Sequence, residues 1–230
     1  MNCIAIIPAR GGSKRIPRKN IRDFLRKPVI AYSIEAAIKS EIFDEVMVST
    51  DDNEIAKIAK DYGANVPFFR SYESSTDTAS TIAVLTEVLS EYSKTGKTYI
   101  NMCCIYPCAP FVTAGRLRNS YEKFIADKTN SAFPVVKFSY PPQRCLVIRN
   151  GKVMMLHPKN YTIRSQEFEP LYHDAGQFYF GKCDVIVREK RLFCENSTPI
   201  VLPESEVQDI DTEEDWIIAE MKYKILQAGR

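Results

Sequence analysis

Hydrophobic positions run along this chain in two alternating rhythms. Residues 3–9, CIAIIPA, are almost uninterruptedly apolar, the pattern of a strand covered on both faces. Residues 28–40, PVIAYSIEAAIKS, then set Ile30, Ile34, Ala37 and Ile38 along one helical face, with Pro28 at the start. The strand EVMVST (45–50) leads into a helix capped by Asp51 or Asp52 and stopped at Gly63. A strand around Val66–Phe69 and a longer helix from about Thr78 to Ser93 follow, with Asp77-Thr78 as a candidate cap and Gly96 closing. The apolar YINMCCIY (99–106) reads as a central strand, Thr113 starts a helix to about Asp127, and SAFPVVK (131–137) is a further strand.

Strand–helix pairs in this succession, with crossovers long enough for parallel pairing, predict a single α/β domain over residues 1–230. Its core is a doubly wound, mostly parallel, Rossmann-like sheet. The rhythm breaks after Lys137. Residues 138–172 carry Pro141-Pro142 and a hairpin pattern around Asn150-Gly151, and they predict an inserted arm or dimerisation lobe. DAGQFYFGK (174–182) returns as a strand, 184–190 has helical character, and the chain ends in an amphipathic helix with Thr212 as cap.

Composition narrows the function classes. At 230 residues with 45% hydrophobic and 26% charged side chains, the chain matches an ordinary globular domain. A net charge of +2 argues against a protein that wraps nucleic acid. No segment approaches the length of an apolar membrane span, and the first apolar run is too short and its charges misplaced for a signal peptide. Seven cysteines, several within apolar runs, predict buried free thiols in the reducing cytoplasm, and no second pair or histidine completes a zinc site.

Chemistry concentrates in two places. The loop after the first strand, ARGGSKRIPRKN, occupies the carboxyl end of a strand, where open parallel sheets bind ligands. Gly11 and Gly12 allow close backbone approach, while Arg10, Ser13, Lys14 and Lys19 supply donors for phosphate oxygens. The spacing is neither a Walker A nor a dinucleotide fingerprint, and a merely solvated basic loop competes with the phosphate reading. Asp209 and Asp211, two apart in DIDTEED, face the same way on an extended backbone and can share a divalent cation, Mg²⁺ or Mn²⁺. Asp211 could instead help cap the final helix. Together the two features describe phosphoryl chemistry on a nucleotide.

IPARGGSKRIPRKNI, FFRSYESSTDTAST, YPCAPF and DIDTEEDW, in this order over nearly the whole chain, resemble the CMP-sialic acid synthetase (acylneuraminate cytidylyltransferase) family. Within it, YHDAGQFYF and Tyr106, where sialate enzymes usually carry Gln, are most similar to the branch that activates pseudaminic acid. The resemblance implies a nucleotide-diphosphosugar-transferase-like fold and a homodimer. It also implies transfer of CMP from CTP to a nine-carbon ulosonic acid, serving surface glycan or flagellin glycosylation. Sialic acid, legionaminic acid and 3-deoxy-manno-octulosonate are alternative acceptors, and a non-catalytic nucleotide or nucleic-acid binder is the alternative of another class.

Residue by residue, Arg10 and Lys19 would hold the triphosphate beside Ala9, Gly11, Ser13 and Lys14, with Asn20 at the ribose. Arg70, with Ala79 and Thr81, would select the cytosine, and Asp77 and Thr78 would also belong to the nucleotide site. Asp209 and Asp211 would hold the metal, Asp211 acting with Arg10 and Lys19 in catalysis. Tyr106, Arg144, Arg164, Asp174 and Gln177 would meet the sugar acid. The remaining cations of the first loop, Arg15, Arg18 and Arg22, are left as solvated charge.

Overall fold

The computed structural model describes residues 2–228. The first strand, β1 (Cys3–Pro8), leaves the core into the basic loop, which ends in a two-stranded ribbon, β2 (Asp23–Phe24) and β3 (Lys27–Pro28). Helix α1 (Val29–Ser40), β4 (Glu45–Ser49), α2 (Asn53–Asp61), the single turn α3 (Tyr72–Ser75), α4 (Thr81–Lys94), β5 (Asn101–Ile105) and α5 (Ala114–Asp127) follow. Then come β6 (Ser131–Lys137), the arm hairpin β7 (Leu146–Arg149) and β8 (Lys152–Met155), β9 (Tyr172–Asp174) and β10 (Phe178–Lys182). Helix α6 (Cys183–Glu189), β11 (Ser197–Leu202) and α7 (Glu213–Ala228) complete the chain.

The main sheet runs β11-β6-β10-β5-β1-β4, with β9 added along β6. Strands β4, β1 and β5 are mutually parallel, and β11 is parallel to β6. Alternation along β1 shows how the layers assemble. Cys3, Ala5 and Ile7 face Ile30 and Ile34 of α1 and Leu117 and Phe124 of α5, whereas Ile4 and Ile6 face Leu85 and Val88 of α4 and Ile186 of α6. Because helices cover both faces, β1 must be apolar at every position, and residues Cys3 to Ile7 are fully buried.

Several expectations are corrected. Residues 66–69 form no strand, since this stretch pairs only through an isolated bridge from Asn65 to Met47. Helix α4 begins at Thr81, capped by the Ser80 hydroxyl, which accepts from the Ala83 N–H (3.2 Å); Asp77 and Thr78 lie outside it. The predicted returning strand is split: β9 pairs antiparallel with β6, the chain kinks at Gly176 (φ +63°), and β10 inserts antiparallel between β5 and β6. A strand that re-enters from an arm instead of a crossover helix arrives from the opposite end, so it runs against its neighbours. Asn150 and Gly151, both at positive φ, close the β7–β8 hairpin as their side chains predict. Thr212 and Asp215 cap α7 reciprocally, each side chain accepting from the other's backbone N–H. All seven cysteines are free.

Candidate active site

The parallel strands β1, β4 and β5 end at the same edge of the sheet, with Pro8 in register with Ser49. The segments that leave them build an open cleft of about 500 Å³ lined by Arg10, Ser13, Lys14, Arg15, Lys19, Asn20, Arg70, Asp77, Ala79, Thr81 and Tyr106. Ten of the residues singled out from the sequence therefore meet at one place, across sequence separations of up to nearly a hundred positions.

The basic loop is stitched down at points it cannot supply itself. The Gly11 N–H donates to Asp51 (2.9 Å), and the Asn20 side-chain amide donates to the Arg10 carbonyl (2.9 Å). Arg18, at positive φ, forks onto both oxygens of Asp52 (2.5 and 3.0 Å) and also reaches Glu54. Asp52 at the same time caps α2, accepting from the Glu54 and Ile55 N–H groups (both 3.0 Å). Its hydrogen bond with Arg18 holds the Asp52 carboxyl down at about 2. Asp52 thus joins the loop to the sheet edge.

That anchor explains Gly11. A Cβ there would stand 2.7 Å from Asp52 Oδ2 and 3.0 Å from Asp52 Cβ, and Asp52 is pinned on two sides. Gly12 meets nothing within 4 Å. Gly11→Ala is expected to displace the loop and lower kcat/KM for CTP by roughly 10²-fold, as a misplacement of about 1 Å can. Gly12→Ala should stay close to wild type, and steady-state kinetics on the pair checks the difference.

Arg10 and Lys14 converge on Asp77, Arg10 at 2.6 Å, and these two cations depress its carboxyl, Lys14 more than Arg10. Arg70, 9% exposed, donates to the Ser49 hydroxyl (3.1 Å) and carbonyl (2.7 Å) and to the Ser74 carbonyl (3.5 Å). Remaining N–H groups of its fork are left for the cleft it lines. Ala79 and Thr81 present the start of α4 beside it. Ala9 is buried with its N–H on Ser49, and Thr78 pairs with the Thr76 hydroxyl, so neither side chain enters the cleft.

The acidic pair meets the basic loop through Lys19, whose ammonium donates to the Ile210 carbonyl (2.6 Å) and approaches Asp211 (3.4 Å). Arg15 also donates to Asp211 (2.8 Å). Ile210 is 1% exposed between an exposed Asp209 and a partly exposed Asp211, the alternation expected of extended backbone. Burial, and then the charge of Asp211, raise the Asp209 carboxyl above its ordinary range. A carboxyl raised in this way with a second carboxylate beside it suits a divalent cation, which would relieve the repulsion. Among the described residues no cluster of three or more His, Cys, Asp and Glu forms a full cage. An ion here would complete its shell with water and phosphate oxygens, as Mg²⁺ commonly does.

On the flank towards β10, Tyr106 bonds the kink through its N–H to the Gln177 carbonyl (2.8 Å), and its ring packs on Tyr179 at 5.3 Å. Tyr179 donates to Asp174 (2.6 Å), and Gly176 backs towards Asp209. Asp174 is exposed, whereas the Gln177 amide is buried and donates to the Glu206 carbonyl (2.7 Å). Arg144 and Arg164 sit in the arm, Arg144 bonded to the Ser165 hydroxyl, and neither lines the cleft. The sequence reading undervalued three cations: Arg15 and Arg18 are paired as above, and Arg22 clamps Glu213 and covers the Trp216 ring at 4.6 Å. Their partners lie tens to nearly two hundred positions away, beyond any local pattern.

A family model for cytidylyltransferases matches residues 4–175. Over 226 residues the chain is 45% identical to the pseudaminic acid cytidylyltransferase of Campylobacter jejuni, covering 98% of this chain and 97% of that one. It is 32% identical to the CMP-N,N'-diacetyllegionaminic acid synthase of Legionella pneumophila over 236 residues, covering 99% and 98%. Among solved structures, the CMP:2-keto-3-deoxy-manno-octonic acid synthetase complexed with CTP superposes with a TM-score of 0.72, covering 99% of this chain and 100% of that one; at 18% identity the likeness is one of fold. With the family match spanning most of its length and the loop, cleft and acidic pair in place, this chain belongs to the cytidylyltransferases and is a nucleotidyltransferase enzyme.

Proposed function

We propose that the protein transfers CMP from CTP to pseudaminic acid, releasing pyrophosphate. The observation that carries this is the contact of Lys19, which lines the cleft, with the Ile210 carbonyl and Asp211, so that the acidic pair lies beside the cationic loop. The 45% identity to a pseudaminic acid cytidylyltransferase over almost the full length supports the choice of acceptor. In this reading Arg10, Lys14 and Lys19 bind the triphosphate, Arg70 and the backbone at Ala79–Thr81 receive the cytosine, and Asn20 meets the ribose. Asp174, with Tyr106 and the kink at Gln177, borders the sugar acid.

The anomeric hydroxyl oxygen forms a bond to the α-phosphorus as the bond from that phosphorus to its leaving bridging oxygen breaks. Arg10 and Lys19 neutralise the charge that gathers on the departing pyrophosphate. The hydroxyl's proton passes to a carboxylate or water at the Asp209/Asp211 end. Mg²⁺ held by Asp209 and Asp211 would supply charge neutralisation at the α-phosphate and lower the pKa of the attacking hydroxyl. The exposed apolar side chains of the arm, Leu146, Ile148 and Val153 among them, support a homodimer in which Arg144 and Arg164 serve the neighbouring site. The free thiols support work in the reducing cytoplasm; among the described residues no helix is long and apolar enough to cross a membrane.

The test is pyrophosphate release from CTP with Mg²⁺ and a panel of pseudaminic, N-acetylneuraminic, legionaminic and 3-deoxy-manno-octulosonic acids. Pseudaminic acid is expected to give the highest kcat/KM, and UTP to be rejected. Release with N-acetylneuraminic acid alone would overturn the acceptor assignment, and silence with all four would overturn the activity.

A further inference from the structure

The YPCAPF turn at the end of β5 carries a side chain that neither composition nor resemblance gave a task. Cys108 lies behind the cleft wall, and its Sγ–H donates to Asn20 Oδ1 at 3.3 Å. Asn20 is 7% exposed, and the other end of its amide donates to the Arg10 carbonyl at 2.9 Å. A carbonyl oxygen can only accept, so the atom facing Arg10 must be the amide nitrogen; a thiol that donates must then meet the amide oxygen. The two contacts agree on one orientation of the amide. One N–H of Nδ2 stays uncommitted, and Asn20 lines the cleft.

We propose that Cys108 is a positioning residue for nucleotide recognition, locking the Asn20 amide so that it offers the cleft a hydrogen-bond donor directed at a ribose hydroxyl oxygen. The inference rests on the placement of Asn20 at the ribose, and it does not depend on which sugar acid is the acceptor. Burial pushes the Cys108 thiol up to about 12, with Lys19 pulling against it and Asp209 and Asp211 adding to it, so the sulfur keeps its proton and remains a donor. Without Cys108 the amide oxygen loses its partner and only the bond to the Arg10 carbonyl still holds the amide, so rotation about χ2 is less restricted and the Nδ2 donor is aimed less firmly at the cleft.

The readout is a ratio that a purely structural role would not move. Equilibrium binding of CTP, 2′-deoxy-CTP and 3′-deoxy-CTP is measured by calorimetry in the presence of Mg²⁺ on wild type, Asn20→Ala, Cys108→Ala and Cys108→Ser. Wild type should prefer CTP over one of the deoxynucleotides, and Asn20→Ala should abolish that preference. Cys108→Ala should reduce it roughly 5- to 10-fold, the worth of about one neutral hydrogen bond, while Cys108→Ser, which restores a donor, should keep it. If Asn20→Ala removes the preference and Cys108→Ala leaves it intact, the positioning role is overturned although the ribose contact stands. If Asn20→Ala leaves it intact, the ribose contact itself falls and the proposal with it. An equal loss of affinity for all three nucleotides in Cys108→Ala would mark the thiol as packing only, and would equally overturn the proposal.

Discussion

Asp211→Asn is expected to lower kcat by roughly 10³-fold, of the order found when one electrostatic stabiliser of a transition state is removed, while the protein stays folded. The substitution keeps the shape of the side chain and removes its charge. Its backbone contacts survive, since the Asp211 N–H still reaches Asp215 (3.1 Å) and Lys19 still has the Ile210 carbonyl (2.6 Å), while the ion pairs with Arg15 and Lys19 weaken to neutral hydrogen bonds. What is lost is the second of two carboxylates, and a site with a single carboxylate attracts a divalent ion far less strongly. Pyrophosphate release at saturating CTP and Mg²⁺, alongside thermal melts by circular dichroism, separates the two effects. Turnover near the wild-type rate would show that DIDTEED is only the approach to a capped helix. A melting temperature that falls with the rate would assign Asp211 to the structure instead.

The frame of the fold was readable because its signals are local. β1, fully buried from Cys3 to Ile7, writes its two covered faces into an unbroken apolar run, and α1 announces its helix by spacing, although it is buried all round from Val29 to Ile34 and Ile38 of the expected face is exposed. The Asn150-Gly151 turn is equally self-contained. What failed was whatever depended on a distant partner. Val66–Phe69 has strand composition and follows a residue bridged to the edge strand β4, but backbone bonds to that edge come only from Asn65 and then Arg70, so the stretch between stays irregular. The residues after Asp174 look like one strand because their alternation is continuous, yet β6 pairs first with β9 and then with β10, and the sheet decides where the chain kinks.

The site divides along the same line. Which side chains gather around the cleft at the end of β1 was legible from the type and position of the loop residues. How they are held was not: Arg18 needs Asp52, Arg15 needs Asp211, and Asn20 needs Cys108, all far along the chain. A capping residue such as Asp52 is visible in sequence, but its second contact with Arg18 arises only when the first loop lies over the N-terminus of α2.

The largest effect on stability is expected at Trp216, the chain's only tryptophan. It is 3% exposed, packs edge-on against Phe24 at 5.6 Å, and lies under the Arg22 guanidinium, which also grips Glu213. Around it Phe24, Tyr32 and Tyr223 make a knot of edge-to-face rings that fastens α7 to the ribbon closing the basic loop. Trp216→Ala should cost about 3–5 kcal/mol, the usual range for deleting a buried large aromatic, and lower the melting temperature by roughly 10 °C for a domain of this size. Trp216→Phe should recover most of the loss by refilling the cavity. Since the substitution removes the intrinsic fluorophore, circular dichroism is the measurement to use. The consequence for function follows from chain order. Asp211 stands two residues before α7, and Lys19 lies in the loop that the β2–β3 ribbon closes, so the aromatic knot ties together the two segments in which the cation site and the phosphate donors are proposed. In partly stabilised conditions, at low temperature, Trp216→Ala should therefore still show a raised KM for CTP, whereas a melting loss with unchanged KM would confine the knot to holding α7 in place.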